Sequence, residues 1–168
     1  MHKFVAQISK LEKFQAGSLG YNASLINQNR KSGRTNLNKH TEEWLKQADY
    51  DMGVAEFLFK GAKYSYTVFM CHLSIEKALK GLYIQILNEE PPKIHNLIYF
   101  VEKLKLNPPD DLLNFLVILN RMNIATRYPD ELEKMLKEYD KDRTKKLLIK
   151  SKETLEWIKT QLQMPSDS

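Results

Sequence analysis

The chain has 168 residues, enough for one domain with a real core and cramped for two. Hydrophobic residues make up 42% and charged residues 28%, the balance of a soluble globular protein, and six Gly with six Pro leave little material for a turn-rich β architecture. The formal net charge of +5 is unevenly placed: residues 1–39 hold Lys3, Lys10, Lys13, Arg30, Lys31, Arg34 and Lys39 against Glu12 alone, so this segment carries +6 and the remainder −1. A basic surface spread over the whole body is thereby excluded, and any phosphate site on it must be local. Cys71 is the sole cysteine, which rules out an intramolecular disulfide, and no Cys/His spacing suits zinc. A reducing cytoplasm is the expected compartment. No stretch approaches the ~20 apolar residues of a membrane span, and the first residues lack a signal peptide's apolar run. Neither a cofactor nor a membrane partner is expected.

Residues 1–39 begin with Phe4, Ile8, Leu11 and Phe14 at helical spacing and continue as an Asn-, Ser-, Gly- and Arg-rich stretch. They are predicted to form a basic, partly flexible arm. From Thr41, an expected N-cap followed by Glu42 and Glu43, the residues Trp44, Ala48, Met52, Ala55 and Phe59 recur at three and four positions and predict a helix to about Lys60. After Gly61-Ala-Lys63, the apolar residues Phe69, Leu73, Leu79, Leu82, Tyr83 and Ile86 predict a second helix from Tyr64 to Asn88. Pro91-Pro92 ends it, since proline cannot continue the hydrogen-bond ladder.

A short helix is expected from about Asn96 to Leu104, and Asn107-Pro-Pro109 breaks the chain again. The next helix, Asp110 to about Arg127, has an acidic start and a main stripe of Leu112, Leu116, Leu119 and Met122. Leu113, Val117 and Ile124 form a second apolar side with no evident intramolecular partner, which predicts a two-fold contact with another copy. Beyond Tyr128-Pro129 helix is predicted again, with Leu132, Met135, Leu136 and Tyr139 giving way near Asp140 to Leu147, Leu155, Ile158 and Leu162. Residues 164–168 form a frayed tail. Short connections make neighbouring helices antiparallel, so residues 40–163 are read as an all-α, up-and-down bundle of four to five helices. Trp44, Phe69, Leu73, Leu79, Leu116, Leu119 and Leu155 are its expected buried positions.

Charged and aromatic groups recur where packing alone does not require them: Trp44 with Ala48 and Asp49, Glu76-Lys77-Ala78-Leu79-Lys80, His95-Asn96-Leu97, and Arg127-Tyr128-Pro129. In this order the pieces resemble the HEPN domain family over about residues 40–163. The resemblance implies a bundle that pairs with itself and acts beside a small nucleotidyltransferase, on a nucleotide or RNA. Many members of that family cut RNA with an Arg and a His separated by four to six residues. The three permitted positions after Arg121 hold Thr126, Arg127 and Tyr128, and those after Arg127 hold Leu132, Glu133 and Lys134, so the motif histidine is missing.

Imidazole exchanges protons near neutrality, which Arg and Tyr do poorly. No catalytic residue is therefore assigned, and Arg121, Arg127, Tyr128, Lys77, Lys80 and His95 are the candidate binding residues. Each has a bland counterpart. Arg121, placed near the second apolar side, pairs with a carboxylate such as Glu76; Lys77 and Lys80 belong to a solvated helix face; Tyr128 packs a turn; His95 closes the Pro-Pro turn or caps the helix after it. His72, one turn before Glu76, reads as a hydrogen-bonded core or interface histidine. The expected function is phosphate binding without cleavage. A metal-independent ribonuclease using His72 or His95, and a purely structural oligomerisation domain, stand as the alternatives.

Overall fold

The computed structural model describes residues 37–125, with side chains through Met122, and residues 139–162. Among these are five helices: α1 Lys39–Lys60, α2 Tyr64–Leu87, α3 Leu97–Lys103, α4 Asp110–Ala125 and α5 Lys141–Thr160. No strand occurs among them. The basic arm through residue 36, the segment 126–138 with Arg127 and Tyr128, and the tail lie outside the described residues.

The first helix starts two residues before Thr41. Asn38 is its cap, its side chain accepting from the His40 amide, whereas the Thr41 hydroxyl turns inward to donate to the Gly81 carbonyl at 3.2 Å. A buried acceptor on α2 thus outcompetes the cap role that the sequence suggested. The end of α1 turns without glycine in the left-handed position. Ala62 takes φ 56° there, and the amides of Ala62 and Lys63 close onto the carbonyls of Phe59 and Leu58. Lys105 repeats this device after α3, with φ 52°.

The second helix touches each of the other four and forms the axis of the bundle. Its closest neighbour is α1, and small residues line their seam. The Ser74 hydroxyl donates to the Ala48 carbonyl at 2.7 Å, and a Cβ on Gly81 would stand 3.1 Å from the Trp44 Cβ. Ile75, Leu79 and Leu82 of α2 meet Leu97 and Phe100 of α3, Leu116 and Leu119 of α4, and Ile158 of α5 in one fully buried cluster. Each such side chain contributes roughly 1.5–3 kcal/mol.

Leu79, Leu116, Leu119 and Leu155 are buried as expected, but Trp44, Phe69 and Leu73 are half-buried. They are not among the partly buried side chains that pack against the core. On α4 the main stripe is buried, and the second side is narrower than the periodicity suggested. Leu113 packs against the core, leaving half-buried Val117 and exposed Ile118 outermost among its described side chains. Asp140 caps α5 through the Arg143 amide, and no described helix is long and apolar enough to cross a membrane.

Candidate functional site

Midway along α2 a carboxylate is carried into the core. Glu76 is only 3% exposed, a costly place for a charge without partners. Its Oε1 accepts from the Lys80 ammonium at 2.7 Å, and its two oxygens lie 3.1 and 3.0 Å from Nδ1 of His95. Nδ1 of His72 faces the same carboxylate at 3.8 Å. Helical spacing brings His72 and Lys80 to Glu76, each one turn away. His95 arrives from the loop between α2 and α3.

Lys80 is not a solvated lysine. Its ammonium lies 5.7 Å from the Trp44 ring centroid and 5.9 Å from that of Phe100, so a carboxylate and two π faces enclose it. Lys77 has a separate partner, the buried Asp51 of α1, at 2.7 Å. The Lys77 pair joins α2 to α1, whereas the Lys80 pair lies within α2.

His95 is placed differently. Its Nδ1 faces both oxygens of Glu76, and its ring is half-exposed. The cap of α3 is not His95 but Asn96, whose side chain accepts from the amides of Ile98 and Tyr99. Asn120 of α4 accepts from the Leu97 amide at 2.8 Å and fixes the start of α3 against α4. The next residue, Arg121, is exposed. It follows Val117 by one helical turn and so stands on the same outer side of α4.

The structure thus brings Asn120 of α4 to the start of α3, places His95 on Glu76, and pairs Lys77 and Lys80 with Asp51 and Glu76. Asp51, Glu76 and Asn120 were missed as site residues. Asp51 had a legible signal, since it falls between Ala48 and Ala55 on the apolar side of α1 and so calls for a cation. Among the described residues no group of three or more His, Cys, Asp or Glu side chains could hold a metal ion.

The HEPN domain matches residues 41–161, most of the chain and nearly all of its bundle. The chain belongs to the HEPN family. The crystal structure of TT1696 from Thermus thermophilus shares its fold at a TM-score of 0.63 and 21% identity, over 73% of this chain and 98% of that one. ST0689, described as an archaeal HEPN homologue, superimposes with a TM-score of 0.58 and 24% identity, over 74% of this chain and 99% of its own. A comparison with curated proteins gave no match. At these identities the two solved structures speak for the fold alone. For this HEPN chain the Glu76–Lys80 part of the α2 motif has a physical explanation: it builds the charged centre that anchors His95.

Proposed function

We propose that this HEPN chain is a nucleotide- or RNA-phosphate-binding module that works as a homodimer beside a nucleotidyltransferase. The observation that carries the reading is Arg121, exposed on α4 one residue after Asn120, which anchors the start of α3. An exposed guanidinium suits paired hydrogen bonds to a phosphate, taken in exchange for its present contact, and His95 is assigned a further contact. Arg127 and Tyr128 follow on the same chain and complete the proposed site, whereas Lys77 and Lys80 support it from within. The two-fold contact is assigned to the outer side of α4 around Val117 and Ile118. The seven Lys and Arg of residues 1–39 add a salt-sensitive attraction to polyanions.

The test is binding of a fluorescent RNA oligonucleotide and of ATP to wild type and to Arg121→Ala, Arg127→Ala and Tyr128→Ala. Affinity should fall several-fold in each variant while the circular dichroism spectrum stays unchanged. Unaltered affinity in both Arg variants refutes the site. Deletion of residues 1–36 should flatten the salt dependence and leave the melting midpoint nearly unchanged.

A second reading, metal-independent RNA cleavage, is favoured by one observation. The buried Glu76 holds Nδ1 of a half-exposed His95, an arrangement suited to proton transfer. Cleavage in excess EDTA that disappears in His95→Ala selects this reading. Its absence in wild type selects binding alone.

A further inference from the structure

The facing borders of α1 and α5 carry a ladder of opposite charges that stops short of its end. Lys159 pairs with Asp49 at 2.6 Å and Lys152 with Glu56, so the two helices run antiparallel, and seven residues back along α5 match seven residues forward along α1. The next step sets Lys145 at about the level of position 63, and position 63 is again a lysine. A like pair thus stands where the ladder calls for an opposite one. Two further lysines join it: Lys60 follows Glu56 by one turn on α1, and Lys141 precedes Lys145 by one turn on α5. All four are exposed, and none forms an ion pair with a described residue.

The acids of the neighbourhood do not balance them. Residues 57–66 and 139–149, which make this end of the bundle, hold Lys60, Lys63, Lys141, Arg143, Lys145 and Lys146 against Asp140 and Asp142, a net of +4, whereas residues 40–168 together total −1. The first turn of α2 contributes no acid, and the Asp140 carboxylate accepts from the Arg143 amide. Asp142 is the remaining acid of the first turn of α5. The segment 126–138 that leads into α5 carries three cations and four acids, too small a difference to offset the excess. Like charges gathered in this way repel one another, and no described contact compensates.

Each border also shows one exposed apolar side chain just inside its lysines. Phe57 precedes Lys60 by one turn and is 75% exposed, and Ile149 follows Lys145 by one turn and is 57% exposed. The Glu56–Lys152 pair lies on the borders between the helices, so these two do not form the continuous apolar face on which an interfacial helix enters a lipid surface. A single exposed ring beside a row of cations suits a single-stranded nucleic acid, whose phosphates take the cations and whose bases stack on aromatic faces.

We propose that the end of the bundle built by the α1–α2 turn and the first turns of α5 binds single-stranded RNA, with its phosphates on Lys60, Lys63, Lys141 and Lys145 and one base on Phe57. The proposal rests on the function proposed above for its ligand class alone, because the surface is a second one. Lys150 reaches Asp111 of α4 and Lys152 reaches Glu56 of α1. Two residues apart on a helix, they point to nearly opposite sides of α5, so the α1 border that bears this cluster faces away from α4 and its Arg121.

The test uses the full chain and a fluorescent oligouridylate, with affinity measured by anisotropy over a range of salt concentrations. Lys60→Gln with Lys145→Gln is compared with Lys46→Gln with Lys105→Gln, a pair of exposed lysines elsewhere that removes the same charge. The first pair should weaken binding and flatten the salt slope by about 1.4, since each lost single-strand phosphate contact removes about 0.7. The control pair should keep the wild-type slope. Phe57→Ala should lose about fivefold or more in RNA affinity with an unchanged slope, and should bind inorganic polyphosphate as wild type does. Unchanged melting midpoints show that the exposed substitutions leave the bundle intact.

Equal slopes in wild type and Lys60→Gln with Lys145→Gln overturn the proposal, as does an equal loss in the control pair, which would mean a general field rather than a site. Wild-type RNA affinity in Phe57→Ala removes the RNA strand as occupant and leaves a surface for phosphate groups alone. Binding to phosphatidylserine vesicles that is lost in the lysine pair while RNA binding persists gives the surface to a membrane instead. Arg121→Ala separates the two sites: loss in the lysine pair but not in Arg121→Ala upholds this surface and refutes the α4 site, and the reverse pattern refutes this surface alone.

Discussion

Glu76 and Glu153 each hold a lysine of their own helix, at 2.7 and 2.9 Å, yet the two pairs are different physical objects. The Glu76–Lys80 pair is inside, with side chains 3% and 9% exposed, and each charge depends on the other for its existence in the core. The Glu153–Lys150 pair is half in water, where either charge survives alone. The first belongs to a centre that joins α2 to the α2–α3 loop and to the rings of Trp44 and Phe100. The second belongs to a row along α5 in which Lys150 also reaches Asp111 of α4, and Lys159 joins Glu156 to Asp49 of α1. Similar distances conceal unequal consequences, because desolvation rather than Coulomb attraction sets the scale.

The largest expected effect follows from opening the buried centre on one side only. Glu76→Ala strands the Lys80 ammonium against two rings and releases His95, and should lower stability by about 3–5 kcal/mol. The double variant Glu76→Met with Lys80→Met removes both charges and should recover most of that loss. Chemical denaturation of the three proteins decides the matter. Equal losses in the single and double variants would mean that the volume of Glu76, not its charge, is what the core requires. A smaller loss, about 1–3 kcal/mol, is expected for Asp51→Ala, since Lys77 is partly hydrated and finds water when its partner is removed.

A third measurement probes the buried side without altering it. Burial pushes the Cys71 thiol up to about 11, against a smaller opposing pull from the Ser151 hydroxyl. The neutral thiol is the form that the fold favours. Its contribution to stability is therefore complete below the ordinary value of 9.0 and is lost as pH rises through about 11. At pH 8 the native protein should resist iodoacetamide, and the alkylation rate should follow opening of the bundle. Fast modification under native conditions would show that the α2 face bearing Cys71 is not sealed.

The sequence displays the fold more openly than the site, and particular residues show why. The limits of α2 and α3 were legible because Pro91-Pro92 and Pro108-Pro109 forbid longer helices, although the chain turns out earlier, through Asn88 and Lys105 at positive φ. The start of α1 was misread because Thr41 faces a choice between a local cap and a distant carbonyl, and periodicity does not see Gly81. Phe69 and Leu73 lie on a regular apolar stripe but outside the core cluster, so spacing overstated their burial. In the site, His72, Glu76 and Lys80 are neighbours by helical geometry, and their proximity could be read from numbering alone. The arrival of His95 at Glu76, across 19 residues and a Pro-Pro turn, could not. Neither could the exposure of Arg121, which depends on the rotation of α4 set by Leu116, Leu119 and Asn120.

The smallest effect is expected on the exposed row, and its signature is dependence on conditions rather than size. Lys150→Met should lower the melting midpoint only slightly at neutral pH and low salt. The hydrogen bond from Lys150 holds the Asp111 carboxyl below its usual value of 3.8, so that contribution is present above 3.8 and is lost as pH falls further. Conversely, the hydrogen bond to Asp111, followed by that to Glu153, raises Lys150 above 10.5, so its share is present below 10.5 and is lost as pH climbs past it. The gap between wild type and Lys150→Met should therefore be a plateau across neutral pH that closes at both ends. It should also close in about 1 M salt, where screening acts within about 3 Å. The deficit of Glu76→Ala should persist there, because salt does not enter the core. A Lys150→Met deficit that survives high salt would place this row on the buried side of the comparison and remove the distinction between the two kinds of pair.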